Sequence, residues 1–310
     1  MLALPTLLLS LRAPSLQPEG QPTPAAGRMI LLSRGRGGST VTCAVFAQLA
    51  HSPVWNLCTE LFGSRLDQMA NVTDPRATMI HWFNEQQVAQ PHAQLVGFKW
   101  KPWLIDSALY AGAVSWVAAH GVKVLWMTRN ALDEAISKQR HTAEHDIDPR
   151  CKPTKLDAKE LEECIAAHQG AVTMNTTVLM RQLRDFRDHD ATIEATLTRA
   201  NITYHRLDFD TLFVPYARQG LAQRELGSAP TGAAELAVWN GALGYLGLDR
   251  VDSYAKIVQA ADAFSERTAA KSQCELMANA GEVRAALRGT EFEGLLLNAV
   301  NDGGQSGGRG

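Results

Sequence analysis

The chain has 310 residues, 45% of them hydrophobic and 20% charged, which is enough for a substantial core and excludes an intrinsically disordered protein. Its formal net charge of −2 offers no global basic field, so nucleic-acid binding has no electrostatic warrant. Cys43, Cys58, Cys151, Cys164 and Cys274 are odd in number and show neither C-x-x-C nor zinc-finger spacing. No disulfide framework is indicated, and Cys43 and Cys58, which sit in apolar runs, read as buried thiols.

Leu2–Leu11 is apolar but too short to span a bilayer, and no basic segment precedes it. Residues 12–27 are rich in Pro, Gly, Gln and Ala, so 1–27 read as a flexible lead, 28–300 as the folded domain, and the Gly-rich 301–310 as a disordered tail. Strands are expected at Met29–Leu32, Gln94–Phe98, Val122–Thr128 and Thr203–Leu207. Helices are expected at Thr40–Leu49, Leu104–Ala119, Leu132–Arg140, Ala158–His168, Met174–Arg187 and Ala233–Leu246. This alternation predicts an α/β three-layer sandwich, a central parallel sheet covered on both faces, with ligands at the strand carboxyl ends.

Between the first strand and the first helix runs Ser33-Arg34-Gly35-Arg36-Gly37-Gly38-Ser39-Thr40. The glycines let the backbone approach an anion closely, Ser39 and Thr40 add hydroxyl donors at a helix N-terminus, and Arg36 brings a fixed fork of donors. An oxyanion is the natural guest. The NTPase loop needs Lys before its hydroxyl residue, where Gly38 stands, and the dinucleotide fingerprint lacks its third glycine because Thr40 holds that place. A bland Gly-rich turn remains open from these residues alone. Arg36-Gly37-Gly38-Ser39-Thr40 resembles the 5′-phosphosulfate loop of sulfotransferases.

A second motif follows the strand Val122–Thr128: Arg129-Asn130-Ala131-Leu132-Asp133, with Ser137 on the helix behind it. An Arg at the carboxyl edge of a strand and a Ser a little over two helical turns later can converge on one phosphate. The run resembles the 3′-phosphate motif of sulfotransferases, and the two motifs occur in the order found there. Thr59-Glu60-Leu61-Phe62-Gly63, Gly97-Phe98-Lys99-Trp100, Trp239–Leu248, Asn279–Val283 and Leu287–Phe292 are similar to segments of the carbohydrate and trehalose-type branch. The signatures of the cytosolic aryl and steroid enzymes are not spelled here.

The resemblance implies the P-loop-like sulfotransferase fold and the donor 3′-phosphoadenosine 5′-phosphosulfate (PAPS), with no metal and a hydroxylated small-molecule or glycan acceptor. It assigns Arg36, Gly37, Gly38, Ser39 and Thr40 to the 5′-phosphosulfate, Arg129 and Ser137 to the 3′-phosphate, and Glu60 to the general base. Lys99 would contact the transferred sulfate. Arg34, Lys138 and Arg140 add to the local positive charge. A nucleotide kinase and a non-catalytic PAPS-binding protein are the alternatives.

His141-Thr142-Ala143-Glu144-His145 spells H-x-x-E-H, a zinc pattern, but Arg140-His141 also completes the phosphate motif and Asp146–Pro149 ends the helix. Trp116 and Trp126 read as core, Trp100 and Trp103 as core or acceptor-stacking, and Asp208 and Asp210 as post-strand site acids or solvated loop charges. Asn71, Asn175 and Asn201 head glycosylation triplets that matter only in a secretory lumen, so the compartment stays open between cytoplasm and Golgi lumen.

Overall fold

The computed structural model describes residues 26–35, 38–49, 54–55, 57–63, 71–147, 171–212, 232–262 and 273–296, with the backbone alone at 54–55, 140–147, 258, 260–262 and 275. Most of the expected lead, the helix expected over Ala158–His168 and the tail lie outside the described residues.

Among the described residues strand and helix alternate as far as the helix after the fourth strand, and a second helix then precedes the fifth strand. In order these elements are β1 (Gly27–Ser33), α1 (Ser39–Leu49), β2 (Val54–Trp55), α2 (Pro75–Ala89), β3 (Leu95–Trp100), α3 (Ala108–Ala119), β4 (Lys123–Thr128), α4 (Ala131–Ile147), α5 (Thr176–Arg199) and β5 (Tyr204–Asp208). Then come α6 (Ala233–Leu246), α7 (Tyr254–Asp262), α8 (Gln273–Leu276), α9 (Ala280–Leu287) and a 3₁₀ turn, Glu293–Leu296. The strands form one sheet of order β2-β3-β1-β4-β5, and every pairing is parallel.

The sheet has a layer on each face because the side chains of each central strand alternate between two cores. Met29 and Leu31 of β1 join Leu125, Met127 and Leu207 in a core closed by Phe46 of α1, Trp239 and Leu243 of α6, and Ile257 of α7. Ile30 and Leu32 join Val96, Phe98, Val124 and Trp126 in the opposite core, closed by Phe83 of α2, Trp116 of α3, and Ile193 and Leu197 of α5. A third cluster packs Leu132 and Ile136 of α4 and Leu183 and Phe186 of α5 against Val283, Leu287, Phe292 and Leu296 near the C-terminus. Gly97 has no room for a side chain: a Cβ there would lie 2.5 Å from Met29 Cγ and 3.0 Å from the Met29 carbonyl oxygen. The expected three-layer α/β sandwich with a central parallel sheet is the architecture found.

Several elements differ from expectation. Helix α5 continues twelve residues past Arg187, because apolar Leu179, Leu183, Phe186, Ile193 and Leu197 keep helical spacing until Asn201 turns the chain at φ +53°. Helix α4 runs to Ile147, not Arg140. The unexpected α2 starts where the Asp74 carboxylate accepts from the Ala77 amide at 2.9 Å and Pro75 opens the helix. The expected start of α3 at Leu104 is a turn, and the helix begins only at Ala108. Cys43 and Cys58 are bonded to each other, with Cα atoms 5.4 Å apart, which corrects their reading as buried thiols. The bond fastens α1 to the segment that carries Glu60. Among the described residues no helix is long and apolar enough to cross a membrane.

Candidate functional site

The site forms where four adjacent parallel strands end. β1 delivers Arg34 and the Gly turn, β3 delivers Lys99 and Lys101, β4 delivers Arg129 and Asn130, and β5 delivers Asp208, Phe209 and Asp210. Arg36 and Gly37 lie outside the described residues. Gly38 holds φ +88°, and a Cβ on it would stand 2.0 Å from Cδ2 of Phe209, so glycine is required by both conformation and space. Its carbonyl accepts from the amide and the hydroxyl of Thr42, both at 3.1 Å. That starts α1 at Ser39, which is buried, while Thr40 is exposed. The leading amides of such a helix have no acceptor within it and favour an anion.

The other face of this arrangement belongs to Arg129. Its guanidinium carbon lies 4.6 Å from the centroid of the Phe209 ring, so one ring touches both the glycine turn and the strand-end arginine. The next residue, Asn130, is clamped from both sides. Its amide donates to Asp210 at 2.6 Å, and its side-chain oxygen caps α4 by accepting from the amides of Leu132 at 2.9 Å and Asp133 at 3.3 Å. Ser137 is half-buried two turns along the same helix. Burial, above all, pushes the Asp210 carboxyl up to about 6, against the opposing pull of the Asn130 amide.

Glu60 and Lys99 are in direct contact. Thr59 accepts from the Lys99 amide at 2.7 Å, and Glu60 pairs with Lys99 as a parallel bridge, extending the sheet edge by one step. The Lys99 ammonium lies 3.2 Å and the Lys101 ammonium 3.0 Å from the same Glu60 oxygen, and Lys101 donates to the second oxygen at 3.1 Å. Burial alone would raise the Glu60 carboxyl, but the hydrogen bond and charge of Lys101, with those of Lys99, hold it below its ordinary value.

No protein-family model matches the chain. No curated protein does either. Among solved structures it is similar to a sulfotransferase from Alicyclobacillus acidocaldarius, at 15% identity and a TM-score of 0.40, over 79% of this chain and 97% of that one. A likeness that slight carries no function.

The remaining expected residues divide clearly. Arg34 does not add to the positive charge offered to a ligand, because it is buried and paired, at 2.9 Å to Glu134 of α4 and 3.4 Å to Asp190 of α5. Trp100 is core, packed edge-on to Phe62, while half-buried Trp103 stacks on His189 at 4.6 Å. Trp116 and Trp126 are core. Half-buried Asp208 accepts from the Thr211 amide at 2.9 Å and closes the turn that carries Phe209 and Asp210. No group of three or more metal-ligating side chains occurs among the described residues, and the side chains of His141, Glu144 and His145 lie outside them.

Sequence reasoning passed over Lys101, Phe209, Glu134 and Asp190. Lys101 was visible as the strand partner of Lys99 two residues on, hence on the same face. Asp190 was visible as a carboxylate interrupting the apolar stripe of α5 between Phe186 and Ile193.

Proposed function

We propose that this chain is a sulfotransferase of the carbohydrate and trehalose-type branch, moving a sulfuryl group from PAPS to a hydroxyl of a carbohydrate-like acceptor. One observation carries the reading: the turn after β1 and Arg129 after β4, on neighbouring strands, meet across the ring of Phe209. Two anion-favouring elements thereby face one edge of the sheet, as a nucleotide bearing both a 5′-phosphosulfate and a 3′-phosphate requires.

In this reading the amides heading α1 and the hydroxyls of Ser39 and Thr40, with Arg36 and Gly37, hold the 5′-phosphosulfate. Arg129 and Ser137 hold the 3′-phosphate. The acceptor oxygen attacks sulfur in line with the leaving phosphate oxygen; the S–O bond to the acceptor forms as the S–O bond to the phosphate breaks, and the acceptor proton passes to Glu60. Much of the protein's contribution is placement and charge, as in phosphoryl transfer. Lys99 and Lys101 keep Glu60 ionised and therefore able to accept a proton, and a sulfuryl oxygen that draws Lys99 away raises its proton affinity.

The test is a titration with adenosine 3′,5′-bisphosphate in chelator. Binding without magnesium, tighter than ATP, is expected. Arg129→Ala should weaken the bisphosphate by roughly ten- to a hundredfold, the worth of a charge-assisted contact, and barely affect adenosine 5′-monophosphate. Equal loss for both nucleotides, or a requirement for magnesium, would overturn the reading.

A further inference from the structure

The most deeply buried charged side chain among the described residues has no role in the scheme above. Glu134 is 1% exposed on α4, one turn before Ser137, and neither of its oxygens makes a well-aligned hydrogen bond. It is held by charge instead. Arg34 faces it from the end of β1 at 2.9 Å, Arg129 from the end of β4, Lys138 from its own helix, and Asp190 from α5 as a like charge. The Phe186 ring floors the group, with the Arg34 guanidinium carbon 4.5 Å and the Lys138 ammonium 5.9 Å from its centroid. His189, beside Arg34, is kept neutral: burial, then Arg34, pushes it down to about 4.

Glu134 therefore sits as an anion among the cations that line one side of the phosphate motif. We propose that Glu134 is an internal counter-ion of that cationic group, competing with a bound 3′-phosphate for Arg129 and Lys138, and so sets how tightly the site takes a second phosphate. The inference rests on reading Arg129 and Ser137 as the 3′-phosphate grip. Burial, partly offset by Arg34, pushes the Glu134 carboxyl up to about 7. Near neutrality an arriving phosphate meets a carboxylate that can give up its charge by taking a proton, and the repulsion is relieved.

The sign of the effect separates this role from a structural one. If Glu134 only braced Arg34, removing its charge would weaken binding. As a competitor, its removal strengthens binding. Glu134→Gln and the unaltered protein are titrated with adenosine 3′,5′-bisphosphate and with adenosine 5′-monophosphate from pH 5.5 to 8.5, each protein's fold checked by circular dichroism.

The variant is expected to bind the bisphosphate roughly tenfold more tightly at pH 8.5, as for one like charge removed from a partly desolvated site. The ratio should fall toward one by pH 5.5, where Glu134 is already protonated, and the ligand's own titration cancels in that ratio. The monophosphate should show little difference.

Equal or weaker bisphosphate binding by the folded variant at pH 8.5 overturns the proposal while leaving the donor assignment intact. Failure of both proteins to distinguish bisphosphate from monophosphate overturns the donor assignment and the proposal with it. Should the variant not fold, calorimetry of the unaltered protein in two buffers of different ionisation enthalpy decides. Net proton uptake on binding the bisphosphate at pH 7.5 supports the counter-ion role, and its absence refutes it.

Discussion

Breaking the bond between Cys43 and Cys58 is the most quantitative perturbation the fold offers. The two residues are 15 apart in sequence, and closing a loop of that length removes unfolded-chain entropy worth about 3 kcal/mol at 25 °C. For a domain of this size each kcal/mol moves the melting temperature by about 2–4 °C, so the loss should be about 6–12 °C. Cys58 is exposed and Cys43 buried, which makes Cys58→Ser the cleaner variant because it leaves the core thiol in place. Glu60, two residues from Cys58, keeps its bridge to Lys99 and both ammonium contacts without the bond. The variant should therefore melt early yet bind adenosine 3′,5′-bisphosphate as the oxidised protein does. Scanning calorimetry of oxidised protein, reduced protein and variant, with thiol counting by mass spectrometry, makes the comparison. Melting temperatures within about 2 °C of each other, or Cys43 and Cys58 both found as free thiols in the untreated protein, would refute the reasoning.

Two further perturbations address the site. Gly38→Ala places a methyl 2.0 Å from a Phe209 carbon in a left-handed backbone conformation, so a loss of about 2–4 kcal/mol is expected in denaturant unfolding, of which Phe209→Ala in the same chain should restore the steric part but not the conformational part. Glu60→Gln should lower sulfuryl transfer by roughly 10²–10⁴-fold with bisphosphate affinity intact. Because two ammonium groups hold Glu60 below its ordinary value of 4.5, the rate of transfer by the unaltered protein should hold as pH falls to that value and be lost only below; a limb near neutrality would assign the base elsewhere.

The sheet was legible because its central strands are buried on both faces, and continuous apolar runs such as Ile30–Leu32 and Val124–Met127 admit few other readings. Helix α6 was legible at both ends, Ala233 and Leu246. Helix α2 was missed although Asp74-Pro75 spells a start signal, because its large apolar residues cluster at Met79–Phe83 and do not recur along the helix at a helical period. The extent of α5 was missed because Asp188, His189 and Asp190 break the apolar pattern, and two of these three turn out to be half-buried partners of Arg34 and Trp103. Local spacing placed Arg129 and Gly38 at strand ends but could not show that Phe209, 80 residues and more away, lies against both. The pairing of Cys43 with Cys58 is likewise set by where the sheet edge returns beside α1, a relation between segments that no local pattern encodes.

The brace on Asn130 comes from very late in the chain. Its side-chain amide donates to the carbonyl of Leu295, 165 residues on, and the Asn279 side chain bridges the backbone of Met174 across 105 residues. During synthesis the turn after β1 and the strand bearing Arg129 leave the ribosome long before Leu295 exists. A nascent chain can thus assemble the sheet and the local cap of α4 early, but the bond from the Asn130 side-chain amide to Leu295 waits for the turn Glu293–Leu296 to dock, a contact of high sequence separation that forms slowly. Synthesis as far as Leu295 is thus the event that completes the hydrogen bonds of Asn130, and a chain released before Leu295 lacks that brace on the residue next to Arg129.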